Sequence, residues 1–184
     1  MKGTSSISMG KQRGTFSIEF AIVGAFFAVL LMFSADIIIK LSVKGKLDRL
    51  SYSLVSLAKE RTQLYNKEDY TLESSDITLL YTVGKNSLNR TIGDFNSNNF
   101  SMQVEEITND SGYKTYTKNN GCTVSSTLQQ LENNSDTKLS VVTSWGRNSA
   151  IYRVTLCYET DNLVAGLLDN GFTTVQSSAM VIGR

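Results

Sequence analysis

Hydrophobic and polar positions divide the chain into three regimes. A polar opening stretch carries Lys2, Lys11 and Arg13, and residues Phe20 to Ala35 then carry no charge at all. Asp36 interrupts, and Ile37 to Ile39 follow. Counted from Thr15 to Ile39, this run is long enough to cross a bilayer core, which needs about 20 residues. Beyond it, Leu47, Leu50, Leu54 and Leu57 recur at alternating three- and four-residue steps, with Leu64 one heptad later. That spacing predicts an amphipathic helix. Gly45 is its weak point, costing about 1 kcal/mol relative to alanine, and no proline breaks it. The pattern predicts one nearly continuous helix from Thr15 to about Tyr65, with a bend allowed at Gly45. At about 1.5 Å per residue it is roughly 75 Å long.

After Tyr65 the periodicity shortens, and Asn, Ser, Thr and Asp become frequent. "DITLLYTV" reads as a strand, and "FSMQVEEIT", the turn "NDSG" and "YKTYT" read as a hairpin. "KLSVVTSW", the turn "GRNS" and "AIYRVTLCYE" read as a clearer hairpin, and "TVQSSAMVIG" as a last strand. Short helices are expected in "TVSSTLQQLE" around Leu128 and in "NLVAGLLDN" around Val164. Residues 84–99 read as a long surface loop. The fold class expected is α+β, with a long helix packed against an antiparallel sheet.

Composition narrows the chemistry. The 184 residues suffice for one modest domain plus a membrane segment. The chain has no histidine, which removes the usual general base at neutral pH and the commonest metal ligand. Two cysteines, Cys122 and Cys157, are too few for a four-thiolate zinc site. A formal net charge of +1 and scattered lysines give no electrostatic footprint for nucleic acid. Glu105 and Glu106 are adjacent, so they point to opposite faces of a strand, a poor geometry for a catalytic pair. Asn109, Asp110 and Ser111 are explained better by a turn than by calcium. "Asn89-Arg-Thr" matches a glycosylation sequon that arises often by chance. No catalytic residue, metal site or cofactor is expected, and the chain reads as non-enzymatic.

Glu19 is the anomaly. A carboxylate at a bilayer centre costs about 2.5–3.5 kcal/mol on insertion scales, and intramembrane carboxylates are usually functional. Lying about one turn inside the segment, Glu19 can also reach the interface more cheaply. A plain signal anchor is the simplest account of the run. A cleaved secretory signal fits less well, because the segment continues past Ser34 and Ala35. A buried core helix is a further alternative, although the run is long for one.

The flanks change that balance. Gly14 ends the basic leader and directly precedes "TFSIEF". A cut after Gly14 makes Thr15 the new N-terminus and Glu19 the fifth residue. This combination resembles the class III signal of type IV prepilins. Phe20 after the glutamate resembles the Glu-Tyr or Glu-Phe pair of the tight adherence (Tad/Flp) branch. "KLDRLSYSLVSLAKER" is similar to the corresponding segment of the TadF family of minor pseudopilins. The resemblance covers Arg13 to Tyr65. It implies a leader at 1–14, a transmembrane segment at 15–39, a helix extension at 40–65 and an extracytoplasmic α+β domain at 66–184, pilin-like overall. It also implies processing at Gly14 and Thr15 with Glu19. Subunit contact would run through Glu19 and Phe20, the glutamate pairing with a neighbour's free amine in a low-dielectric bundle. The implied partners are a prepilin peptidase, a TadE-like minor pseudopilin, the major Flp pilin and the inner-membrane assembly platform. The implied place is the bacterial inner membrane, single-pass, with the C-terminal domain periplasmic, and incorporation into an extracellular pilus. The implied role is initiation or capping of a pilus or pseudopilus. The alternative is a signal-anchored periplasmic binding or sensory protein with an incidental glutamate.

That topology bears on the cysteines and is itself contested by charge. Outside the cytoplasmic membrane disulfides persist, which favours a Cys122–Cys157 bond over two buried thiols. The absence of a CxxC motif and of histidine argues against redox catalysis. The positive-inside rule, applied to Lys2, Lys11 and Arg13 against Lys40, Lys44, Lys46 and Arg49, slightly favours the reverse orientation. The processing signal and the expected disulfide outweigh that count.

Overall fold

A computed structural model of the chain describes residues 15–65, 71–108, 112–120, 122–134, 139–142, 146, 148–161 and 173–183, the side chains of 15 and 61–65 excepted. Helix α1 (Thr15–Tyr65) runs unbroken through Gly45. Its second half buries Val43, Leu47, Leu50, Leu54, Val55 and Ala58. Leu57, expected on that seam, is exposed. A straight helix drifts about 20° per heptad against a 3.5-residue repeat, so Ala58 takes the inward place. Leu64 lies outside the residues whose side chains are described.

Helix α2 (Ser74–Thr91) replaces the strand expected at "DITLLYTV" and the first half of the expected loop at 84–99. The physical reason is periodicity over a longer window. Ile77, Leu80, Gly84 and Leu88 are all buried, at three- and four-residue steps. Glu73 and Asp76 start the helix with a reciprocal cap: the Glu73 side chain accepts from the Asp76 amide, and the Glu73 amide donates to Asp76 Oδ2 at 2.9 Å. Gly84 lets α2 approach closely, because a Cβ there would lie 3.3 Å from both Leu54 Cδ1 and Phe100 Cζ. A short 3-10 turn (Ser97–Asn99) leads into the sheet.

The sheet contains β1 (Phe100–Thr108), β2 (Gly112–Lys118), β3 (Ile151–Glu159) and β4 (Thr174–Ile182) in the order β2-β1-β3-β4, every pair antiparallel. The hairpin of β1 and β2 and the last strand agree with the alternation in the sequence. The second expected hairpin does not form as read. β3 pairs with β1 on one side and β4 on the other, which leaves no neighbouring slot for the preceding segment. Of that segment only the Val142–Asn148 bridge remains among the described residues. Helix α3 (Leu128–Asn133) is present, capped by Thr127 and Gln130. The turn at 109–111 and the expected helix around Val164 lie outside the described residues.

Alternation divides the sheet into two faces. Phe100, Met102 and Val104 share one face with Tyr152, Val154, Leu156 and Tyr158, and they form the core with α1 and α2. Stacking of Tyr81 on Phe100 and of Phe95 on Tyr158 fills the end where α2 enters β1. The opposite face carries Glu105, Arg153 and Cys157.

Candidate membrane and assembly surface

The first half of α1 is bare. Phe16 and Phe20 are 73% and 71% exposed, and nearly every large apolar residue through Leu41 is exposed too. It is the one helix among the described residues long and apolar enough to cross a membrane. So much contiguous apolar surface does not stay in water; it marks a lipid or subunit contact. Thr15 is the first helical residue, Glu19 follows one turn later and is exposed, and Phe20 stacks on Phe16 with centroids 6.5 Å apart. Gly14 lies outside the described residues. Among the described residues, nothing pairs with the Glu19 carboxylate.

A charge pair lies within the last turns of the bare region. Asp36 is only 2% exposed, and Lys40 Nζ lies 2.7 Å from its Oδ2. Asp36 lies seven residues before Val43 and eleven before Leu47, so it continues the stripe that faces the domain. From Phe16 to Ala35 the helix offers about 20 residues, roughly the 30 Å of a hydrocarbon core.

A polar seam then fixes α1 on the sheet. Ser177 Oγ donates to Asp48 Oδ1 at 2.5 Å and lies 3.2 Å from Ser51 Oγ. Lys44 Nζ reaches the Gln176 carbonyl at 3.3 Å and lies 3.6 Å from Asp48 Oδ1. Lys46 Nζ donates to the Thr91 carbonyl at 2.7 Å, tying α1 to the end of α2. Slipping the helix by one residue breaks all of these at once.

Two buried carboxylates hold the rest, one on each face. Glu105 Oε2 accepts from Arg153 Nε at 2.5 Å and also contacts Nη2. Its Oε1 accepts from the Leu128 amide and from Tyr113 Oη, both at 2.9 Å. Arg153 Nη2 also donates to the Ser126 carbonyl at 2.8 Å. Burial first, and then the hydrogen bond to the Glu105 carboxylate, push the Tyr113 hydroxyl above the usual tyrosine range. On the other face, Glu106 Oε2 accepts from the Leu72 amide at 2.8 Å, while Tyr116 Oη donates to the Leu72 carbonyl at 2.7 Å. Each carboxylate therefore pins a connecting segment to the sheet. Reading the sequence missed the Glu105–Arg153 pair, although a lone arginine within "AIYRVTLCYE" was its available signal. Cys122 and Cys157 are bonded, with an S–S distance of 2.02 Å and Cα atoms 5.4 Å apart. The bond clamps the segment leading to α3 over the same face as Arg153. Among the described residues no three His, Cys, Asp or Glu side chains gather to hold a metal. The candidate calcium ligands Asn109, Asp110 and Ser111 lie outside the described residues.

No curated protein and no solved structure matches the chain. One family model does, TadF, described as "Putative tight adherence pilin protein F", and it matches residues 8–184.

Proposed function

The chain belongs to the TadF family, and from that premise we propose that it is a minor pseudopilin that initiates or caps a tight adherence (Flp) pilus or a related pseudopilus. The observation that carries this reading is the bare apolar half of α1, joined to a domain whose core, among the described residues, is built on the other half. A pilin-like subunit needs both parts: a helix stored in lipid and later bundled with other helices, and a head outside. On this reading residues 1–14 are a leader removed by a prepilin peptidase on the cytoplasmic side, and Thr15 carries the new amine. The membrane segment is then residues 15–39, the helix extension 40–65 and the head 66–184. The Cys122–Cys157 bond supports an oxidising compartment for the head, and hence an inner-membrane protein with a periplasmic domain.

Glu19 is the residue proposed to act in assembly, with Phe20 beside it. A neighbour's Thr15 amine and the Glu19 carboxylate offset each other's desolvation once both enter a helix bundle. The subunits engaged are a TadE-like partner, the major Flp pilin and the inner-membrane platform. Glu19→Val removes both the charge and the insertion cost, so the variant inserts at least as well as the wild type. Glu19→Gln keeps the size. Both are expected to be cut after Gly14 and then to fail in subunit association, lowering surface pili. Cleavage and pilus number measured in the same cells test this. Normal assembly with Glu19→Val would mean an incidental carboxylate and would favour a signal-anchored binding or sensory protein.

A further inference from the structure

Residues 122–134, which end in α3, lie outside the main core. Among the described residues, none of them belongs to the cluster that α1 and α2 build on the other face of the sheet. They cover the face where Glu105 and Arg153 sit side by side on paired strands. This cover is tied down at Ser126, at Leu128 and at Cys122. Arg153 Nη2 donates to the Ser126 carbonyl at 2.8 Å, the Leu128 amide donates to Glu105 Oε1 at 2.9 Å, and the disulfide joins Cys122 to Cys157 on β3. The Leu128 side chain is fully buried as well. Two of these ties end on ions, and that sets a balance. Hydration of a carboxylate and a guanidinium is strong, so water competes for Glu105 and Arg153 and favours a raised cover. The disulfide favours a closed one, because it links positions 35 apart and removes freedom from the open chain. The packing of α1 and α2 on the sheet, and the pairing of its four strands, do not run through the cover.

We propose that residues 122–134 are a redox-gated cover: thiol–disulfide exchange at Cys122–Cys157 lifts them off the Glu105–Arg153 pair while the main core stays folded. The reaction partner is a dithiol. Cys157 is only 1% exposed, whereas Cys122 is half-buried, so the attacking thiolate meets the Cys122 sulfur. A mixed disulfide forms there as the Cys122–Cys157 bond breaks, and Cys157 leaves as a thiolate that takes up a proton. The second thiol of the reductant then attacks the first, and Cys122 leaves in the same way. The protein gains two electrons and two protons, and the dithiol becomes a cyclic disulfide. With the tether cut, the ties left at Ser126 and Leu128 face direct competition from water, and local opening follows without global unfolding. The reverse exchange closes the cover again, and in a compartment where disulfides persist the closed form holds.

The test uses full-length oxidised protein in detergent, with and without dithiothreitol. The chain has two cysteines, so this dithiol acts at one place, and alkylation of both thiols confirms full reduction. Hydrogen exchange is followed by mass spectrometry of peptides. Reduction is expected to speed exchange in 123–133 about a hundredfold and to leave peptides from α2 and β4 unchanged. Phenylglyoxal, which modifies accessible guanidinium groups, is expected to label Arg153 in the reduced protein and not in the oxidised one. Reoxidation is expected to restore both the slow exchange and the protection of Arg153. Faster exchange throughout the head, α2 and β4 included, would overturn the proposal, because the bond would then hold the whole fold. Unchanged exchange in 123–133, an unlabelled Arg153 after full reduction, or protection that reoxidation does not restore would overturn it as well. None of these readouts depends on cleavage after Gly14 or on pilus assembly, so their failure is distinct from failure of the pseudopilin reading.

Discussion

At the residue scale, Glu105 and Arg153 illustrate what local pattern hides. Glu105 is fully buried and Arg153 nearly so, yet they meet because β1 and β3 pair in register at those two positions. Taking both ions out of water is costly, and their contact with each other, with Tyr113 and with backbone groups offsets it. Removing only one partner leaves a buried charge uncompensated. Arg153→Leu is therefore expected to cost about 3–5 kcal/mol of stability, read as a lower denaturant midpoint for the detergent-solubilised protein. A loss below about 1 kcal/mol, the scale of an exposed pair, would place the pair in solvent instead. The adjacency of Glu105 and Glu106 did reveal that they face opposite ways. It could not reveal what each one binds, because those partners lie far along the chain.

At the scale of elements, α1, β1, β2 and β4 were legible because each carries its own periodicity over its whole length. Leu47, Leu50 and Leu54 mark one helix face, and Phe100, Met102 and Val104 alternate with residues of the other sheet face. α2 was not legible from eight residues rich in Ile, Thr, Leu and Val. Such a window suits a strand, and only the later Gly84 and Leu88 complete the helical spacing. Gly84 also looked like the start of a loop, whereas its small size serves the contact between α2, Leu54 and Phe100. Gly84→Val should overpack that contact and destabilise the head by about 1–3 kcal/mol, despite the general dislike of helices for glycine. Thermal or denaturant unfolding checks it, and an unchanged or raised stability would refute the close approach. The missing second hairpin has a different cause, since competition for β3 is settled by pairing across the whole sheet. The Cys122–Cys157 bond spans 35 positions and should contribute about 4 kcal/mol in the chain-entropy model. Cys122→Ser or Cys157→Ser is expected to lose most of it. Two freely labelled thiols in wild-type protein from the native envelope would remove both the bond and its support for an exported head.

At the scale of the whole molecule, the protein joins a helix half suited to lipid to a helix half built into a domain. Asp36 marks the change: it is a buried acid on the domain-facing stripe, whereas Glu19 is an exposed one. That contrast separates a carboxylate held within this chain from one that no described residue of the chain holds. The first half of the site was legible as an apolar run with an odd glutamate near its start. The place of residues 122–134 over Glu105 and Arg153 was not, because those two meet only once β1 and β3 pair. Membership of the TadF family fits the apolar run. The central claim is that this helix is a pilin-type helix with a processed N-terminus, and the mass of the N-terminal peptide from membrane-extracted protein of the native host tests it most directly. The account predicts a chain that begins at Thr15 with Gly14 and everything before it removed; an intact Met1 start in a host with an active prepilin peptidase would contradict it.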